Sequence, residues 1–131
     1  MNNSGFTEAL GAGYAPYFGW FSYRPNGTSN PDLDLLDGPA KRYVQSITYS
    51  ATGVQTIVFK EGFSFPTTVA WFCSTSCLAV ANAFQASVLS WDPTTRTLVL
   101  QQAQNTTGVA TASNPANVVR VGFMSNNSSG K

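Results

Sequence analysis

The run YVQSITYSATGVQTIVFKEGFSFP, from Tyr43 to Pro66, restricts the fold more than any other part of the chain. Two short segments rich in β-branched and aromatic residues, Tyr43 to Tyr49 and Val54 to Phe59, flank Ser50-Ala51-Thr52-Gly53, a small-residue cluster whose glycine supplies a turn. The pattern predicts a β-hairpin. Tyr43, Ile47 and Tyr49 occupy odd positions on the first arm and Ile57 and Phe59 on the second, so each arm offers one face to a core and the other to polar surroundings. A slip of one residue would turn these side chains to the wrong face, so burial of one side fixes the register. The tip, Ala51-Thr52-Gly53, is expected to face solvent.

Further strands follow the same period. Thr67 to Ser74 alternates Val69, Trp71 and Cys73 on one face. Residues 78 to 91 are Ala-rich and ambiguous, and are read as a loop or short helical turn followed by a strand near Gln85 to Trp91. Trp91-Asp92-Pro93-Thr94-Thr95-Arg96 then supplies a turn, and Thr97 to Gln102 returns with Leu98 and Leu100 on one face, making a second hairpin. After a polar loop from Gln104 to Asn114, Asn117 to Ser125 is a last strand with Val119, Val121 and Phe123 on one face and Val118, Arg120 and Met124 on the other. Upstream, Tyr14 to Arg24 holds six of the seventeen aromatic residues. Alternation places Phe18, Trp20 and Ser22 on one face and Tyr17, Phe21 and Tyr23 on the other, so both faces require cover. One meets the core, and the other meets a neighbouring subunit, a sugar or a loop. Six or seven short strands without an amphipathic helix predict an all-β fold, an antiparallel β-sandwich over residues 14–125, with a flexible N-terminal arm (1–13) and a C-terminal tail (126–131).

At 131 residues the chain is long enough to bury a core without metal or disulfide staples. Its charged fraction of 10 % lies far below the roughly 25 % usual for globular domains. Surfaces this short of charge are typical of interface cores, the alternative being a neutral secreted or β-rich domain. The seven Lys and Arg residues are scattered and the net charge is +1, which argues against nucleic-acid binding. No run of 18 apolar residues and no signal-like N-terminus is present, so neither a membrane partner nor export is expected, and synthesis is expected in the cytoplasm. The absence of histidine removes the commonest general base and metal ligand, and no enzymatic activity or cofactor is expected.

The loop from Arg24 to Lys41 is dense in Pro, Asn, Asp and Gly and holds Asp32, Asp34 and Asp37, three of the six acidic residues. Their spacing lacks the later bidentate Glu of a calcium loop, and no second acid elsewhere completes a glycosidase pair. The alternative is that the acids cap turns while Leu33, Leu35 and Leu36 tuck the loop against an apolar surface. Cys73 and Cys77 cannot make a zinc site without further ligands, and free thiols are expected in a cytoplasmic setting.

The order YVxSITYSATGVxTIVF (Tyr43 to Phe59), a following Phe-Pro and aromatic strand (Phe65 to Phe72), the Trp-Asp-Pro hairpin and the closing VVRVGF strand are together similar to small, jelly-roll-like β-sandwich virion proteins of tailed bacteriophages. The likeness spans roughly residues 41–125, SATGVxTIVF being its most specific piece. The resemblance implies a structural protein of the virion, present on the capsid surface as a trimeric decoration protein that binds the major capsid protein or another virion protein, or else a fibre head binding a receptor or carbohydrate. Neither the aromatic stretch nor the Asp-rich loop has a counterpart in that pattern. Tyr14, Tyr17, Phe18, Trp20, Tyr23, Asp32 and Asp34 are therefore the candidate partner-binding residues, with Trp20, Trp71 or Trp91 beside Asp32 and Asp34 as the platform for a sugar.

Overall fold

In the computed structural model, residues 15–61, 70–77, 83–113 and 115–127 are described, with side chains described neither for 15–18 nor for 125–127. Seven strands, β1 (Ala15–Tyr23), β2 (Val44–Ala51), β3 (Val54–Phe59), β4 (Ala70–Ser76), β5 (Phe84–Asp92), β6 (Thr97–Gln104) and β7 (Val118–Asn127), form two sheets. One has the order β1-β7-β4 and the other β2-β3-β6-β5, every pairing antiparallel. Their inner faces pack together, giving the expected β-sandwich. The two sheets meet along one side, where Thr75 Oγ1 on β4 donates 2.7 Å to the Phe84 carbonyl on β5. Residues 1–14 and 128–131 lie outside the described residues, and β7 runs to Asn127, two residues beyond the expected end of the domain.

The period-2 pattern explains which residues are inside. Phe21 and Tyr23 of β1, Ile57 and Phe59 of β3, Leu98 and Leu100 of β6, and Val119, Val121 and Phe123 of β7 are all buried. Phe59 lies at the centre, edge-on to Phe21 (5.9 Å between ring centroids), stacked with Trp71 (5.7 Å) and edge-on to Trp91 (6.0 Å). Three polar side chains share this interior. Tyr23 Oη donates to Gln55 Oε1 (3.1 Å), while Gln102 Nε2 donates to the same oxygen (2.6 Å) and to Tyr23 Oη (3.1 Å). Gln55 and Gln102 are inside because they share parity with Ile57 and Leu100 on their strands.

Two expectations about the hairpin are corrected. Tyr43 precedes the strand, in a 3-10 turn over Pro39–Tyr43, and a bulge between Val44 and Ser46 shifts the pairing so that Val44 and Ile47 face the core together. At the tip Ala51 and Thr52 are exposed as expected, but Gly53 is buried, and its carbonyl accepts the Gln102 N–H at 2.6 Å. In the Asp-rich loop, Leu33 and Leu35 are exposed and only Leu36 packs against the core, because Leu33–Leu35 forms a 3-10 turn capped by Asp32, whose Oδ1 accepts the Asp34 N–H at 2.9 Å. The second hairpin turns as expected, with Asp92 Oδ1 accepting the Thr94 N–H at 2.9 Å; that bond, ahead of a further one from Thr95, holds the carboxyl below its ordinary range.

Cys73 and Cys77 are free thiols. The strand between them holds their Cα atoms about 13 Å apart, beyond disulfide reach. Burial pushes the Cys73 thiol from its ordinary 9.0 up to about 11, and burial likewise raises the Tyr23 hydroxyl. Above about pH 9 the unfolded chain therefore binds fewer protons than the native one, so stability is complete below that pH and falls as pH rises. The melting temperature, followed by circular dichroism, is expected to be flat through neutrality and to fall in alkali, with a shallower fall in Cys73→Ala.

Candidate functional site

The outer face of the β1-β7-β4 sheet carries the site. Its register sets residues in rows across the three strands. Trp20, Gly122 and Phe72 form one row, and Ser22, Arg120 and Ser74 the next. Met124 pairs with Phe18 on one side and Ala70 on the other in a third. Three large apolar side chains on these rows are open to solvent: Phe72 is 56 % exposed, Met124 38 % and Trp20 36 %. On a sheet whose other face packs on the core, this is an apolar surface on a rigid support.

The middle of the aromatic row has no side chain. A Cβ at Gly122 would collide with the Phe72 ring, so glycine is what lets that ring lie flat across the central strand. Trp20 is held from the other side, its ring against Gly38, where a Cβ would come within 2.7 Å of it. Gly38 is positioned because Asp37 bridges Ser22, with Ser22 N donating to the Asp37 carbonyl (2.8 Å) and Asp37 N to the Ser22 carbonyl (3.1 Å). This bridge closes the β1 edge at that point and buries Ser22 despite its outward parity. Between Trp20, Phe72, Pro39 and Arg120 lies an open cleft of about 600 Å³. The Arg120 guanidinium sits over the Trp20 ring, 5.2 Å from its centroid.

Of the sequence candidates, only Trp20 belongs to this surface among the described side chains. Tyr23 is corrected: it is fully buried, and its hydroxyl is held by the two glutamines rather than offered to a partner. Trp71 and Trp91 are likewise packed against the core and against each other (4.9 Å), so neither is a sugar platform. Asp32 and Asp34 are exposed but do not line the cleft, and Asp32 is engaged as a cap. Tyr17 and Phe18 lie in β1, paired with Ser125 and Met124, but their side chains are outside the described residues, as is Tyr14 entirely. Phe72, Arg120 and Met124 are the residues that sequence reasoning missed as site members. The signal available was parity, since Arg120 alternates with the buried Val119 and Val121 and Phe72 with the half-buried Trp71 and Cys73, but their meeting depends on β7 lying between β1 and β4.

A second concavity, about 310 Å³, lies among Gly27, Phe84, Gln104, Thr111 and Asn117. Its lining is uncharged, and the buried Asn117 Nδ2 already donates to Ser113 Oγ at 2.7 Å. Among the described residues no group of three or more Cys, Asp or Glu is arranged to hold a metal ion. Comparison with known proteins finds no family model, curated protein or solved structure that matches the chain.

Proposed function

We propose that the chain is a non-enzymatic structural protein of a phage virion, a decoration protein that attaches to the assembled capsid through the outer face of the β1-β7-β4 sheet. The observation that carries the docking surface is the exposed Trp20–Gly122–Phe72 row, with Met124 beside it, on a sheet buried on its other side. The virion assignment is supported by the resemblance over residues 41–125, and the low charge and lack of histidine fit a binding role. A protein partner suits the cleft better than a sugar, because Trp20, Pro39, Phe72 and Phe123 dominate its lining and a sugar would need several convergent hydrogen-bonding groups. Binding the assembled shell in preference to its free subunits would stabilise that shell by mass action. Assembly as a homotrimer belongs to the same reading, and sedimentation equilibrium should then show a three-chain species.

Shells stripped of the protein and incubated with it again should rebind it and melt at higher temperature. Trp20→Ser with Phe72→Ser should weaken rebinding by about a hundredfold, the effect of losing two aromatic anchors, while leaving the circular dichroism spectrum unchanged. Wild-type protein that neither rebinds nor protects the shell would eliminate the decoration role. Full rebinding by the double variant would move the contact to another face.

A further inference from the structure

Among the described residues Arg120 is the single charged side chain lining the cleft, and its place is specific. It stands in register between Ser22 and Ser74, one row from the Trp20–Gly122–Phe72 row. A shallow notch beside it is edged by Ser74, Thr75 and Ser76. Stacking on Trp20 orients a guanidinium while leaving N–H donors at its edge. Among the described residues no carboxylate forms an ion pair with Arg120. The nearest acid by register, Asp37, reaches Ser22 through its backbone, and its Oδ1 accepts the Gly38 N–H at 2.8 Å. The surface thus joins an anion-binding group, flanked by hydroxyls, to an aromatic cleft.

We infer that this face recognises an extended protein segment bearing a carboxylate and a bulky apolar side chain two residues apart, the carboxylate at Arg120 and the apolar group between Trp20 and Phe72. The inference rests on the outer face being the docking surface and adds the chemistry of what docks there. The Arg120 guanidinium lies 5.2 Å from the Trp20 ring centroid, so a carboxylate at Arg120 and an apolar group against the Trp20 side of the cleft fall within the roughly 6.7 Å that separates alternate side chains of an extended segment. A cation over an indole and beside hydroxyls selects a carboxylate over an amide of the same shape. The apolar cleft supplies most of the contact area, and the ion pair supplies discrimination.

The test uses isotope-labelled full-length protein titrated with three blocked peptides, Gly-Asp-Gly-Phe-Gly, Gly-Asn-Gly-Phe-Gly and Gly-Asp-Gly-Ser-Gly, with the Trp20 indole N–H as reporter. The first should bind about two- to five-fold more tightly than the second at low salt, the range of an exposed ion pair. The preference should fade at molar salt. Arg120→Gln should abolish it while retaining the binding common to both Phe peptides, and the Ser peptide should bind least. Equal binding of the Asp and Asn peptides, a preference that survives Arg120→Gln, or no binding by any peptide at millimolar concentration each overturns the inference. Failure here is separable from failure of the decoration reading: shells that rebind the protein despite an absent Asp preference remove only the inference, and an Asp preference without rebinding removes only the decoration role.

Discussion

Replacing Phe59 with alanine is expected to lower the unfolding free energy by about 4 kcal/mol, the upper part of the range for truncating a buried aromatic residue. The ring is fully buried and bridges the two sheets, reaching Trp91 within its own sheet and Phe21 and Trp71 in the other. Besides its buried area, each well-oriented aromatic pair contributes on the order of 1 kcal/mol. The cavity left behind has little means of collapse, because β-branched and aromatic neighbours on paired strands are fixed by their registers. Against a total stability of roughly 5–15 kcal/mol this is a large fraction, and the urea midpoint should fall accordingly. Phe72→Ala makes the control: the same residue type at 56 % exposure should cost under about 1 kcal/mol. A cost at position 59 no larger than at position 72 would mean that the aromatic cluster does not hold the sheets together.

The same contrast shows what was legible in the sequence. The two hairpins, the aromatic strand after Pro66 and the closing strand could be read because alternation, turn residues and β-branched composition are local signals, and local signals place strands well. Parity even separated Val119, Val121 and Phe123 from Arg120 and Met124 correctly. In β1 parity was not enough. Both faces of Tyr14 to Arg24 are aromatic, so the sequence could not say whether Tyr23 or Trp20 turned outward; the partner face of Gln55 and Gln102 decided it by satisfying the Tyr23 hydroxyl inside. The bulge after Val44 was hidden for a related reason, because β-branched Val44 fits either face and only the pairing with Phe59 fixes it. The candidate site was less legible still. Trp20, Phe72 and Arg120 are far apart in sequence and become neighbours only through the β1-β7-β4 order, a non-local choice that no periodicity encodes.

Gly53→Ala is expected to cost about 3 kcal/mol, although it adds a single methyl group to a turn. Two separate effects combine there. Gly53 has φ +72, where a side chain adds about 1 kcal/mol or more of backbone strain. A Cβ would also meet main-chain atoms, the Gln102 carbonyl oxygen at 2.6 Å and Thr111 N and O at 2.8 Å, and backbone cannot swing aside as a side-chain tip can. Those atoms are held in turn by the Gln102 N–H to Gly53 carbonyl bond (2.6 Å) and the Thr111 N–H to Gln102 carbonyl bond (3.0 Å), so relief of the clash means breaking the ladder that joins the hairpin tip to β6. Gly27 separates the two effects: it has φ +60 but nothing within 4 Å of its Cβ direction, so Gly27→Ala should cost about 1 kcal/mol, the strain alone. Urea unfolding of both variants with unchanged m-values would give the packing share as the difference. Equal costs at the two glycines would show that the 104–113 loop yields to the added methyl, and that the tip of the hairpin is held less firmly by β6 than its hydrogen bonds imply.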